Sequence, residues 1–133
     1  MKLFECQHCG QLLYFQNTRC ERCGHVLGYL CDREILSALT SKDGSLWFPL
    51  AAPNEQFVFC ANAAYDACNW LVPAGGQDTF CRACRLNRTI PNLDEPGNLL
   101  LWQRLETAKH CLVYGLQRLG LPLANTFEDA GKG

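Results

Sequence analysis

The feature that most constrains this chain is its pairing of cysteines. It opens with Cys6-Gln7-His8-Cys9-Gly10 and, after ten further residues beyond Cys9, repeats the pattern as Cys20-Glu21-Arg22-Cys23-Gly24. Cysteines three positions apart are poorly placed to bridge each other and well placed to grip one ion. Each C-x-x-C-G run predicts a tight turn whose backbone N–H groups face the sulfurs, with glycine supplying the left-handed conformation that closes it. Two such turns face to face give a closed tetrahedral S₄ site suited to Zn²⁺. Leu12-Leu13-Tyr14-Phe15 reads as a strand between the turns, and Val26-Leu27-Gly28-Tyr29-Leu30 as its return. That is the pattern of a zinc ribbon. Rubredoxin-type S₄ iron is the competing chemistry, and zinc is the preferred reading.

A second set, Cys60, Cys68, Cys81 and Cys84, is less regular. Only Cys81-Arg82-Ala83-Cys84 is a C-x-x-C pair, and Arg85 stands where glycine would follow. The other half needs the loop from Ala61 to Ala67 to bring Cys60 and Cys68 together. A second S₄ site is expected, with a Cys₃ site completed by Asp66 or His110 as the alternative. Two structural Zn²⁺ ions are therefore expected, each adding on the order of 10 kcal/mol to folding.

The remaining candidates receive plainer readings. Cys31 and Cys111 read as small buried apolar residues. His8 and His25 sit at knuckle positions that normally face solvent, and His110 pairs with Glu106 four residues before it. Arg19, Arg22, Arg82 and Arg85, with Trp70 and Phe80 as stacking surfaces, would suit a nucleic acid. The preferred reading is that the guanidinium groups offset the thiolates. The formal charge of −1 falls to −5 once eight thiolates hold two Zn²⁺ ions, which disfavours a polyanion partner.

Along the chain the sequence divides into a zinc ribbon (1–30), a β-hairpin connection (31–58), a second Cys₄ region (59–91), an amphipathic helix (92–121) and a polar tail (122–133). The hairpin is predicted from Glu34–Thr40 and Ser45–Phe48, flanking a turn with Asp43-Gly44. For the helix, Asp94 is the expected cap, Pro96 lies in the first turn, and Gly120 with Pro122 ends it. Leu101, Leu105, Ala108, Leu112, Leu116 and Leu119 share one face, widened by Trp102 and Val113. That face is expected to pack on its own domain, while Gln103, Glu106, His110 and Gln117 look outward. The sharper alternative is docking on a partner through 99–119. The fold class is α+β, small and metal-dependent.

No H-E-x-x-H, P-loop, G-x-S-x-G or dinucleotide fingerprint occurs, and a closed S₄ site has no open position for an activated water. The expectation is a non-enzyme. No apolar leader precedes Cys6 and no window suits a membrane span, so a cytoplasmic location is expected.

Phe4 to Gly24, Phe59-Cys60-Ala61-Asn62, Cys68-Asn69-Trp70-Leu71-Val72 and Cys81 to Asn87 carry a resemblance. So do Thr89-Ile90-Pro91, Trp102-Gln103-Arg104-Leu105-Glu106, Leu112-Val113-Tyr114 and Leu119 to Leu123. Over about residues 3–123 the chain resembles the N-terminal zinc-ribbon region of a bacterial family named for an inferred zinc-dependent metallopeptidase activity. The resemblance implies metal-ligand roles for Cys6, Cys9, Cys20, Cys23, Cys60, Cys68, Cys81 and Cys84. In that family an H-E-x-x-H domain follows the ribbon region and is absent here. The resemblance thus implies an accessory module without peptidase activity, docking on a peptidase domain or self-associating through the 99–119 helix.

Overall fold

The computed structural model describes residues 3–123; the tail expected over 122–133 lies outside the described residues from 124 onward. Among the described residues the chain runs through seven short strands and one long helix. The strands are β1 (Phe4–Glu5), β2 (Leu12–Leu13), β3 (Leu27–Leu30), β4 (Ile35–Thr40), β5 (Phe48–Pro49), β6 (Phe57–Phe59) and β7 (Leu71–Pro73), and the helix is α1 (Asn98–Arg118). Two 3₁₀ turns, Ala61–Tyr65 and Cys84–Leu86, lie in the second cysteine region. Together these elements make the expected α+β fold.

Strand pairing differs from the sequence expectation in one respect. β2 pairs antiparallel with β1 across the first knuckle, Phe4 opposite Leu13. β3 does not return on β2. It pairs with β4 over Leu27 to Leu30, while the Arg19–Val26 bridge just before it and the Leu27 amide, donating to the Thr18 carbonyl at 2.9 Å, tie it to the ribbon. The reason lies in burial. All four residues of β3 are buried, so both faces need cover, and the two-residue β2 is too short to give it.

The predicted hairpin forms between β4 and β5, with Thr40 opposite Phe48 and Leu39 opposite Pro49. Its second strand begins at Phe48 rather than Ser45, because Asp43 and Ser41 hold a wider loop. The Asp43 carboxylate accepts from the Ser45 and Leu46 amides at 2.9 and 3.2 Å. The Ser41 hydroxyl donates to the Leu46 carbonyl at 2.6 Å. Gly44 takes the positive φ, +80°, that the sequence called for.

The segments share one core. β6 and β7 pair over Phe57 to Phe59, and the Tyr29 amide donates to the Asn69 carbonyl at 2.9 Å, tying β3 to the strand that leads out of Cys68. Gln7, inside the first knuckle, accepts from the Ala38 amide at 2.7 Å and donates to the Leu36 carbonyl, so that knuckle sits on β4. Phe15, Tyr29 and Trp70 form the centre, with Tyr29 and Trp70 rings 4.7 Å apart and Phe15 edge-on to Tyr29 at 5.0 Å. Tyr114 from α1 closes this cluster, 4.8 Å from Phe15.

α1 begins later than expected and is rotated from the expected orientation. Gly97 is its N-cap at φ +84°, a left-handed break that leaves Asp94 and Pro96 in the preceding turn. Its end follows expectation. The Gly120 and Leu121 amides donate back to the Gln117 and Leu116 carbonyls, the hydrogen-bond pattern of a Schellman cap. The buried residues are Trp102, Glu106, His110, Val113 and Tyr114, whereas Leu105 is 68% and Leu119 74% exposed. Leu101, Leu112 and Ala108 are exposed too. The leucine row expected inside therefore faces out, with Leu116 half-buried, while Trp102 and Val113, expected at its margin, are buried as expected. No helix among the described residues is long and apolar enough to cross a membrane.

Candidate metal centres

The first centre is assembled by two near-identical turns. The Gly10 amide donates to the Cys6 carbonyl at 2.9 Å, and the Gly24 amide to the Cys20 carbonyl at 2.8 Å. Gly10 and Gly24 adopt φ +77° and +81°, the conformation that glycine allows without strain. The four sulfurs of Cys6, Cys9, Cys20 and Cys23 lie within 4.8 Å of one another. Cys6 and Cys23 stand 3.6 Å apart, and Cys9 and Cys20 3.5 Å. A tetrahedral Zn²⁺ with Zn–S bonds of 2.3 Å requires sulfur edges of about 3.8 Å, so the quartet fits the ion closely.

The second centre reaches the same arrangement without the second knuckle. Cys60 directly follows β6 and is the N-cap of the 3₁₀ turn Ala61–Tyr65, and Asp66, at φ +53°, turns the chain back so that Cys68 arrives beside Cys60. On the other side the Arg85 amide donates to the Cys81 carbonyl at 3.0 Å, doing the work of the missing glycine without a positive φ. The sulfurs of Cys60, Cys68, Cys81 and Cys84 again lie within 4.8 Å of one another. Backbone amides point at them: Trp70 toward Cys68 at 3.3 Å, Cys81 toward Cys60 at 3.3 Å and Cys84 toward Cys81 at 3.4 Å.

Electrostatics divide each quartet. In the first, against the opposing pull of the Gln11 and His25 amides, burial and the neighbouring sulfurs push Cys9 and Cys23 up. In the second, the Cys60 side chain first, then Cys84 and burial, push Cys68 and Cys81 up. The Cys20 thiol is pulled down to about 6, first by the Cys23 amide and also by the Arg22 amide. The Cys60 thiol is held down to about 7, chiefly by the Cys68 side chain. Cys84 is lowered as well, by Cys60 first and then by the other sulfurs, with His110 contributing. A divalent ion overrides this division by converting the whole quartet to thiolate. Both centres are closed S₄ sites, and the chain carries two structural zinc ions, one in each.

Around the second centre lies a polar network that hydropathy hid. His110 Nδ1 donates to the Glu106 carbonyl at 2.6 Å, and its Nε2 stands 3.6 Å from Cys84 Sγ and 4.0 Å from Cys81 Sγ. The Glu106 carboxylate, 3% exposed as a residue, accepts from Trp102 Nε1 at 3.1 Å and pairs with Lys109 at 2.7 Å. Lys109 also contacts Asn87. His110, Glu106 and Cys84 form a contiguous cluster, so a helix residue read as solvent-facing in fact leans on the metal centre. The i to i+4 spacing of Trp102, Glu106 and His110 was the available signal, since it places all three on one face.

Asp66 serves as the turn residue of this centre. Trp70, considered for nucleic-acid stacking, is fully buried in the core and offers no face. Arg19 donates to the Gly24 carbonyl at 3.0 Å, and Arg85 pairs with Asp78 at 3.5 Å. Cys31 is partly buried, and burial pushes its thiol up to about 11, which keeps it protonated and unreactive. Cys111 accepts from Gln16 at 3.2 Å.

Paired knuckles, short strands and closed S₄ centres define a zinc-stabilised ribbon protein. The chain belongs to a zinc-ribbon domain family, whose family model matches residues 3–95. It is 32% identical over all 133 residues to uncharacterized proteins from Mycobacterium bovis and from two strains of Mycobacterium tuberculosis. It spans 36% of the length of each of these relatives. The family match stops short of α1, but the likeness to these relatives runs through it. No solved structure matches the chain.

Proposed function

We propose that this chain is a non-catalytic zinc-built docking module, the accessory part of a larger protein, and that the leucine face of α1 carries the docking. The observation behind this is the rotated helix. Leu101, Leu105, Leu112 and Leu119 point to solvent at steps of four and seven, and Ala108 fills the intermediate step. That is the seam geometry of helix–helix packing, on a helix about 31 Å long. The aromatic and zinc-facing residues of α1 already satisfy the core, so the stripe is surplus to this fold. A contiguous apolar strip of this kind marks an interaction surface.

The occupant we favour is a domain of the same longer protein. The relatives have nearly two-thirds of their length outside the matched region, enough for a further domain. The resemblance noted in the sequence makes a metallopeptidase domain the first candidate for it. A mixed-charge groove of about 1020 Å³ accords with a protein partner rather than a polyanion, since Arg33, Arg82 and Arg85 are balanced there by Asp32, Glu55 and Asp78.

Sedimentation and apolar-dye binding on the isolated chain, beside a Leu105→Lys/Leu112→Lys variant, test the reading. The unaltered chain should bind dye or self-associate, and the variant should do neither while retaining both zinc ions. The same substitutions in a full-length relative should loosen the module from the rest of the chain and raise its protease sensitivity. A monomer with no dye binding, indistinguishable from the variant, would overturn the docking role.

A further inference from the structure

The first zinc centre has two histidines at its rim. His8 lies inside the first knuckle, between Cys6 and Cys9, and His25 follows the second directly after Gly24. The knuckles bring their rings to 4.5 Å between centroids, tilted by 38°. His25 Nδ1 stands 3.2 Å from Cys23 Sγ. One ligand atom from each of His8, Cys23 and His25 lies within 4.8 Å of the other two. His8 is exposed, and Cys23 and His25 are half-buried, so an ion from solution can reach the group.

We propose that His8, His25 and the sulfur of Cys23 form a third metal site, separate in character from the two structural centres, for a borderline divalent ion such as zinc. Cys23 bonded to the structural ion keeps lone pairs on sulfur, and a thiolate is soft enough to bridge two such ions. Two imidazole nitrogens and one bridging sulfur make three protein ligands, leaving the fourth position to water. Three ligands with an open position is the arrangement of an exchangeable or reactive zinc rather than a purely structural one. The structural centre assists twice. Its four thiolates on one Zn²⁺ leave a local charge of −2 that attracts a cation. Closure of its knuckles also fixes both histidine backbones, since the Cys20 amide donates to the His25 carbonyl at 2.9 Å and the Gly10 amide to the Cys6 carbonyl at 2.9 Å. The third site therefore exists only once the first is filled, and loading is sequential.

Zinc titration into the two-zinc protein tests this, with bound metal measured by equilibrium dialysis and the imidazole protons followed by NMR. A third equivalent should bind at least about a thousand-fold more weakly than the structural ions, for want of three of their thiolates. The ring signals of both His8 and His25 should shift with it. In a His8→Ala/His25→Ala variant the third affinity should fall at least about ten-fold while two zinc ions remain. Absence of a third equivalent overturns the proposal, as does a third equivalent that survives unchanged in the variant. A shift confined to His25 overturns it too, because that ring would then only be hydrogen-bonded to Cys23. Should the variant lose its structural zinc, the paired ring shift in the unaltered protein still decides.

Discussion

At the residue scale, glycine and cysteine do different work in the same turns. Gly10 and Gly24 meet no atom within 4 Å of a built Cβ and are needed for their positive φ alone. Gly28 is needed for space. A Cβ there would stand 2.8 Å from Leu71 Cγ and 3.0 Å from Leu39 Cδ1, both leucines being buried. β3 and β7 can approach only because that atom is absent. Gly28→Ala should therefore destabilise the zinc-loaded protein by about 1–3 kcal/mol, the usual penalty for overpacking a dense core, read from the urea midpoint. Of the residues that matter, the four cysteines of each quartet were legible from spacing. Gly28 was not, because the leucines it must admit lie 11 and 43 residues away along the chain. The same holds for His110, whose relation to Cys84 depends on where α1 docks.

At the element scale, α1 shows why a hydropathy period locates a helix better than it orients one. The steps of four and three placed the leucines correctly on one face and the helix end at Gly120. Orientation escapes the period because Glu106 and His110, polar residues that hydropathy assigns to solvent, lie inside. Their polarity is satisfied inside, by Trp102, Lys109 and the sulfur of Cys84. A buried polar group that is fully partnered can sit in a core, and a metal–thiolate centre is a partner that hydropathy does not count. The two faces should respond unequally to truncation. Trp102→Ala, at a residue 3% exposed, should lower stability by about 3–5 kcal/mol. Leu105→Ala, on the outer stripe, should change it by no more than about 0.5 kcal/mol in the isolated chain. Chemical denaturation of the two variants side by side checks the rotation directly. A loss at Leu105 as large as that at Trp102 would mean that the leucine stripe packs on the core as well.

At the scale of the whole molecule, the sequence divides into segments that the fold does not keep apart. The hydrogen bond from Asn69 to the Asn17 carbonyl, the Tyr29–Trp70 stack and the Phe15–Tyr114 contact join the first zinc region, the second and the helix. Cysteines of both quartets belong to one continuous buried cluster. Each zinc contributes on the order of 10 kcal/mol, comparable with the entire net stability of a domain this size, about 5–15 kcal/mol. Neither centre can then be lost as a local event. Without the second zinc, Cys60, Cys68, Cys81 and Cys84 become four crowded thiols, the seat of His110 loosens, and Tyr114 and Trp70 lose their fixed positions over Phe15 and Tyr29. The first ribbon, whose strand pair β1–β2 spans only four residues, has little else to rest on. A Cys81→Ser substitution should therefore weaken zinc retention at the first centre as well as the second. Chelation of the unaltered protein should release metal and change tryptophan fluorescence in a single coincident transition. Stepwise release, with Trp70 reporting only the second step, would instead mean that the two centres stabilise separate units, as the sequence taken alone suggests.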